Sequence, residues 1–162
     1  MFVLPSTAHP RIVALYHYWR SIEPAPGKLP GRRHFNPAAI PTLLPNLWLL
    51  DVVGEPRRFL FRVIGSELAR LGIPARPGDD IEPLLPKARA PAVIAELERV
   101  IAARQPTWFR GAALIPHGYS IAELERLHLP LAANGADVDV LLCLTVFYDQ
   151  AGAEITDGPG PA

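Results

Sequence analysis

The clearest alternation of polar and apolar positions lies at 124–147, in LERLHLPLAANGADVDVLLCLTVF. In its first arm Glu125, Leu127, Leu129 and Leu131 point one way and Leu124, Arg126 and His128 the other, because the side chains of a strand alternate sides. AANGAD supplies the connection, with Asn134-Gly135 tolerating positive φ. The second arm is apolar on both sides. Val138, Val140, Leu142, Leu144 and Val146 face one way, and Leu141, Cys143 and Phe147 the other. A strand that is dry on both faces belongs in the middle of a sheet whose two faces are both covered.

The rest of the chain offers the covers. HPRIVALYHYWRSI places Ile12, Leu15, Tyr16 and Trp19 at helical spacing, with Pro10 suited to a first turn. This aromatic-rich helix is the candidate lid for one face. FNPAAIPTLLPN predicts a short helix capped by Asn36, opened by Pro37 and limited by Pro41 or Pro45. LWLLDVV (47–53) and RRFLFRVIG (57–65) flank Gly54-Glu55-Pro56 and predict a hairpin. In its second strand Phe59, Phe61 and Val63 share one face, and Arg58, Leu60, Arg62 and Ile64 the other. GSELARLGI predicts a short helix with Ser66 as cap and Gly72 as stop, and DDIEPLLP one turn at most. In APAVIAELERVIAARQP the stripe Val93, Leu97, Val100, Ile101 and Arg104 predicts a longer helix, ended by Gln105-Pro106. TWFRGAALI follows as a strand and PHGYS as a loop. The order predicts an α+β domain: five antiparallel strands, with helices inserted after the second.

Composition narrows this picture. A chain of 162 residues, about half apolar and a fifth charged, suits one globular domain. Sixteen basic residues balance sixteen acidic ones, so no global field favours nucleic acid or anionic lipid. The first 62 residues hold eight Lys/Arg against three Asp/Glu, an asymmetry that a solvated surface accommodates. Nineteen prolines sit mostly between the periodic segments and stiffen the connections. A single cysteine excludes an internal disulfide and a multi-cysteine zinc site. MFVLPSTAHPR lacks the charged start and long apolar core of a secretory signal, and no apolar run is long enough to span a bilayer. A cytoplasmic protein is expected. The tail AGAEITDGPGPA has too little apolar content to pack and is expected to fray.

This order of elements resembles the PAS domain, and more narrowly the single-domain PAS subfamily typical of alphaproteobacteria. The resemblance is carried by LYHYWRSI, LPGRRHFNPAAIPTLLPNLWLLDV, RFLFRVIGSEL and LERLHLPLAANGADVDVLLCLTVF, and covers roughly residues 12 to 148. It implies a PAS-like five-stranded antiparallel sheet with an N-terminal helix packed on it. It divides the chain into that helix with a proline-rich connection (1–35), a PAS core (36–149) and a flexible tail (150–162). The function implied is that of a sensory or protein-interaction module, with a small-molecule pocket between sheet and helices. Its partner would be another protein or a second copy. The Asn-Cys-Arg helix motif of the flavin photosensors is missing, since the one cysteine, Cys143, falls in a strand. No cofactor is expected. No kinase, cyclase or DNA-binding segment accompanies the pattern, so output is expected to pass through a partner.

Candidate chemistry is sparse. Histidines 9, 17, 34, 117 and 128 include no helical i,i+4 pair and no His-Glu-x-x-His, so no metal site is expected. His128 reads as a hydrogen-bonded structural histidine and His117 as a solvated one. If Glu125 faces the core with Leu127 it needs a partner, for which Arg62 and Arg110 are the candidates, unless the strand end there reaches water. The same groups could anchor a carboxylate- or amide-bearing ligand, with Arg as the bidentate donor. Trp108, Phe109 and Tyr119 flank the expected pocket mouth. Arg62, Trp108, Arg110, Tyr119 and Glu125 are thus the candidate ligand-binding set. Tyr16 and Trp19 could pack on the sheet or form a dimer face. Cys143 reads as an inert small hydrophobe. Ser66 in IGSEL is no nucleophile elbow, and neither a P-loop nor G-x-G-x-x-G occurs. No catalytic residue is assigned and no enzyme is expected. The leading reading is a single-PAS regulator acting by protein contact under ligand control. The other readings are a ligand-free scaffold, a haem- or flavin-binding sensor, and an unrecognised enzyme.

Overall fold

Every residue of the last strand, β5 (Val140–Tyr148), is buried. In the computed structural model, which describes residues 1–71, 73–113 and 121–156, β5 lies between β1 (Leu47–Val53) and β4 (Glu123–Leu131). The antiparallel sheet has the order β2-β1-β5-β4-β3, with β2 (Arg58–Ile64) and β3 (Thr107–Ala112) as its edges. The α+β architecture and the central place of this segment are as its dry faces require. Gly135, at φ +78°, turns β4 back into β5, and the Asn134 side chain accepts from the N–H groups of Ala136 and Asp137.

Two cores lie on the two faces. On one, the N-terminal helix α1 (Pro10–Ser21) sets Ile12, Leu15 and Trp19 against Leu127, Leu129, Leu142 and Leu144. The helix begins where it does because the His9 ring accepts from Arg11 N–H and Pro10 needs no acceptor of its own. Trp19 also donates its indole N–H to the Pro130 carbonyl, 3.0 Å away. On the other face, α3 (Ala90–Ala103) sets Leu97 and Val100 against Leu141 and Phe147, with Trp48, Phe59 and Phe61 alongside. Burying such a side chain stabilises the fold by about 1.5–3 kcal/mol. The short helix α2 (Ser66–Arg70) and a 3₁₀ turn at Glu82–Leu84 complete this layer. Asn36 caps the turn Pro37–Ala39 as expected, its side chain accepting from Ala38 N–H. No helix among the described residues is long and apolar enough to cross a membrane.

Four local expectations are corrected. The β1–β2 register slips between Leu49 and Leu50, which leaves Arg62 as the extra residue of a bulge. Alternation therefore resets: Ile64 joins Phe61 on the α3 side, and Val63 is left 40% exposed. Gly65, not Ser66, precedes the first turn of α2. A Cβ at Gly65 would lie 2.3 Å from the Pro45 carbonyl oxygen and 2.6 Å from that of Leu47, so only glycine fits the crossing. Arg104, in the left-handed region at φ 53°, ends α3 before Pro106 is reached. Finally, residues 150–156 fold back on β5. Ile155 N–H bonds the Phe147 carbonyl, and Glu154 meets His9 Nε2 at 2.8 Å and also pairs with Arg11. Gly72 and the PHGYS loop, with His117 and Tyr119, lie outside the described residues.

Candidate functional site

The alternation of β4 that sends Leu127 and Leu129 toward α1 sends Arg126 and His128 toward α3. Their cross-strand partners on β3, Phe109 and Thr107, share that side. The Arg126 guanidinium lies over the Phe109 ring, 5.1 Å from its centroid, and Thr107 Oγ1 is 3.2 Å from His128 Nδ1. From above, α3 contributes Glu96. One of its carboxylate oxygens accepts from Arg126 Nη2 at 2.9 Å, and the other is 3.2 Å from His128 Nδ1.

This cluster sits at the wall of a cavity of about 470 Å³ between the sheet and the α2–α3 layer. Its walls are chiefly apolar, with Phe61, Ile81, Leu84, Val93, Leu124 and Phe147 prominent. The polar groups on them are Arg89, Glu96, Arg126 and Thr145. Thr145 Oγ1 accepts the Trp48 indole N–H at 2.9 Å. A site of this size, mostly apolar with a few convergent polar groups, is what a small-molecule pocket requires.

Electrostatics sharpen the description. Burial pulls His128 below 6.5 against the opposing pull of the Glu96 carboxylate. Burial alone would raise Glu96, but the His128 hydrogen bond and the charges of Arg126 and Arg99 hold it below 4.5. Neutral His128 therefore faces ionised Glu96. Because a carboxylate only accepts, the imidazole proton belongs on Nδ1. Among the described residues His128 Nε2 is then a buried acceptor without a donor, and Arg126 Nε a buried donor without an acceptor. Cys143, opposite His128 on β5, is pushed well above 9.0 by burial and is inert as a thiol.

The four described members of the sequence-derived ligand set lie elsewhere. Glu125 is fully buried on the α1 side, and among the described residues no arginine hydrogen-bonds to it. Its partners are His9 N–H (2.9 Å), the Trp108 indole (2.8 Å) and the Tyr148 hydroxyl (2.8 Å). Arg110 stands opposite Glu125 in the register but turns outward to Glu123 and over the Tyr148 ring. Arg62 is on the far edge strand, bonded to Asp51 at 2.7 Å. None of Arg62, Trp108, Arg110 and Glu125 lines the cavity, whereas Phe109 does. Trp19 is buried within the chain, and Tyr16 stacks on it half-buried. The missing member was Glu96. Its signal is its position three residues after Val93 and four before Val100, on the buried stripe of its own helix.

A family model for the PAS domain matches residues 7–145. Neither the curated proteins nor the solved structures hold a match. The matched stretch takes in α1, the hairpins, the inserted helices and all of β5 except its last three residues. A five-stranded antiparallel sheet with helices between its second and third strands, matched over that length, makes this chain a member of the PAS domain family.

Proposed function

We propose that this PAS domain is a ligand-controlled regulator: a small, mainly apolar molecule enters the cavity under α3 and alters the contacts the domain makes with a protein partner or a second copy. PAS domains are sensory and regulatory modules in general. The observation that supports the ligand is the cavity itself, about 470 Å³ of space between sheet and helices, walled chiefly by apolar side chains. Space of this kind next to a packed core forfeits contacts, and a ligand restores them. Occupancy can carry a signal only through a differential affinity for two arrangements of α3 relative to β4.

Thermal denaturation of the full chain against a panel of small apolar molecules tests the reading. Val93→Phe, which fills the cavity from the helix side, is the control. Binders should raise the melting temperature of the parent chain and leave the filled variant unmoved. No shift with any member, or equal shifts in both proteins, would remove the cavity as the ligand site.

A further inference from the structure

The walls of the cavity also specify a head group. We propose that its ligand is an apolar molecule bearing a single carboxylate, seated with that carboxylate on Arg126. This rests on reading the cavity as a ligand site. The apolar walls select the body, and four polar residues remain to select the head.

A cationic head would need Glu96, but both oxygens of Glu96 are already engaged, one by Arg126 and one by His128. An anionic head finds donors to spare. Arg126 gives one Nη to Glu96, and its Nε–H has no acceptor among the described residues. Arg89, at the start of α3, also lines the cavity and has no ion-pair partner among the described residues. Thr145 Oγ1 accepts from Trp48, and its own proton goes to no acceptor among the described residues. Two guanidinium groups, Arg126 and the exposed Arg89, therefore stand against one carboxylate on the lining, a surplus of one positive charge. A monoanion neutralises that surplus. A planar two-oxygen head matches the guanidinium fork better than a point charge does. The Phe109 ring beneath Arg126 shields one side of the guanidinium from water, which strengthens any hydrogen bond made there.

Calorimetric titration of the full chain with decanoate, decanol and decylamine separates head from body. Decanoate should bind about tenfold tighter than decanol or better, with decylamine weakest. Glu96→Gln, which weakens the competing hold on Arg126, should tighten decanoate. The paired change Glu96→Met with Arg126→Met removes both charges without stranding either. In that protein decanoate should fall to the level of decanol, and decanol should be unchanged. Equal binding of acid and alcohol by the parent chain, or decanoate affinity that survives the paired change, would overturn the head-group assignment and leave the cavity reading intact. Preference for decylamine would assign recognition to Glu96 and overturn it too. Failure of all three probes to bind would take the cavity reading down with it.

Discussion

Each face of the sheet buries a carboxylate, and the two are satisfied in different ways. Glu125, on the α1 side, is held by three neutral donors drawn from the residue before α1, from β3 and from β5. Each donor is committed, and the surrounding leucines are fully packed. Glu96, on the α3 side, is held by a guanidinium and an imidazole, and each of those keeps one buried nitrogen without a partner among the described residues. The first arrangement is a closed joint that fixes α1, β3 and β5 to one another. The second is an incomplete network beside empty space, the condition in which a buried polar group has bonding capacity left for something else. One face of this domain is built for cohesion, and the other leaves space between α3 and the sheet.

The contrast breaks most visibly by truncation. Leu129→Ala on the closed face should cost about 2–5 kcal/mol, because the tightly packed neighbours cannot collapse into the gap. Val93→Ala, at the cavity wall and only half-buried, should cost about 1 kcal/mol or less. Urea denaturation of both variants measures the difference. Equal losses would mean that the two faces are packed alike.

Tyr148→Phe probes the joint itself. Burial and the bond to Glu125 keep the Tyr148 hydroxyl protonated well beyond its usual range, so it is a dependable donor to that carboxylate. Removing it should cost about 1.5–3 kcal/mol in the same denaturation experiment. Decanoate affinity on the opposite face should not change. A changed affinity would show that the joint and the cavity are coupled through β5.

The sheet was legible because its hydrophobic pattern is strong where burial is two-sided. Val138 to Phe147 admits no reading but a central strand, and the alternation at 124–131 assigned Arg126 and His128 to one face and Glu125 to the other. The site was less legible. Choosing partners for Glu125 by charge favoured Arg62 and Arg110, whereas the fold supplied a backbone N–H, an indole and a phenol. Nothing local in the sequence announces those, since His9 and Tyr148 are 116 and 23 residues away from it in the chain. Trp108 and Phe109 are adjacent, and only the register against β4 decides which of them faces the cavity. The bulge at Arg62 was invisible for the same reason: it is a property of a strand pair, not of either strand.

Acid should discriminate between the two networks. Burial holds His128 below 6.5 in the folded chain, so on acidification the unfolded chain takes up that proton first. Its contribution is complete above pH 6.5 and is lost as pH falls toward the folded value, with a slope of at most about 1.4 kcal/mol per pH unit. Glu96, held below 4.5, contributes fully above that value and is lost only on further acidification. Denaturation midpoints taken on either side of pH 6.5 should therefore fall in the parent chain and fall less in His128→Gln. Tyr148→Phe, on the other face, should keep the parent slope. A slope unchanged in His128→Gln would mean that His128 is not the group being titrated.

The smallest effect is expected at the sheet edge, and it tests whether recognition belongs to β4 at all. Arg62 pairs with Asp51, but the two side chains are 47% and 26% exposed, and pairs of that kind contribute at most about 1 kcal/mol. The bulge that Arg62 occupies is set by backbone pairing on both sides of it, so Arg62→Ala should keep Ile64 turned inward beside Phe61. Decanoate affinity should be that of the parent chain, because Arg62 is on β2 and Arg126 on β4, with β1 and β5 between them. If affinity fell in Arg62→Ala while the denaturation midpoint held, the head group would be read at the edge of the sheet and not under α3. The open face would then have to be explained by packing alone.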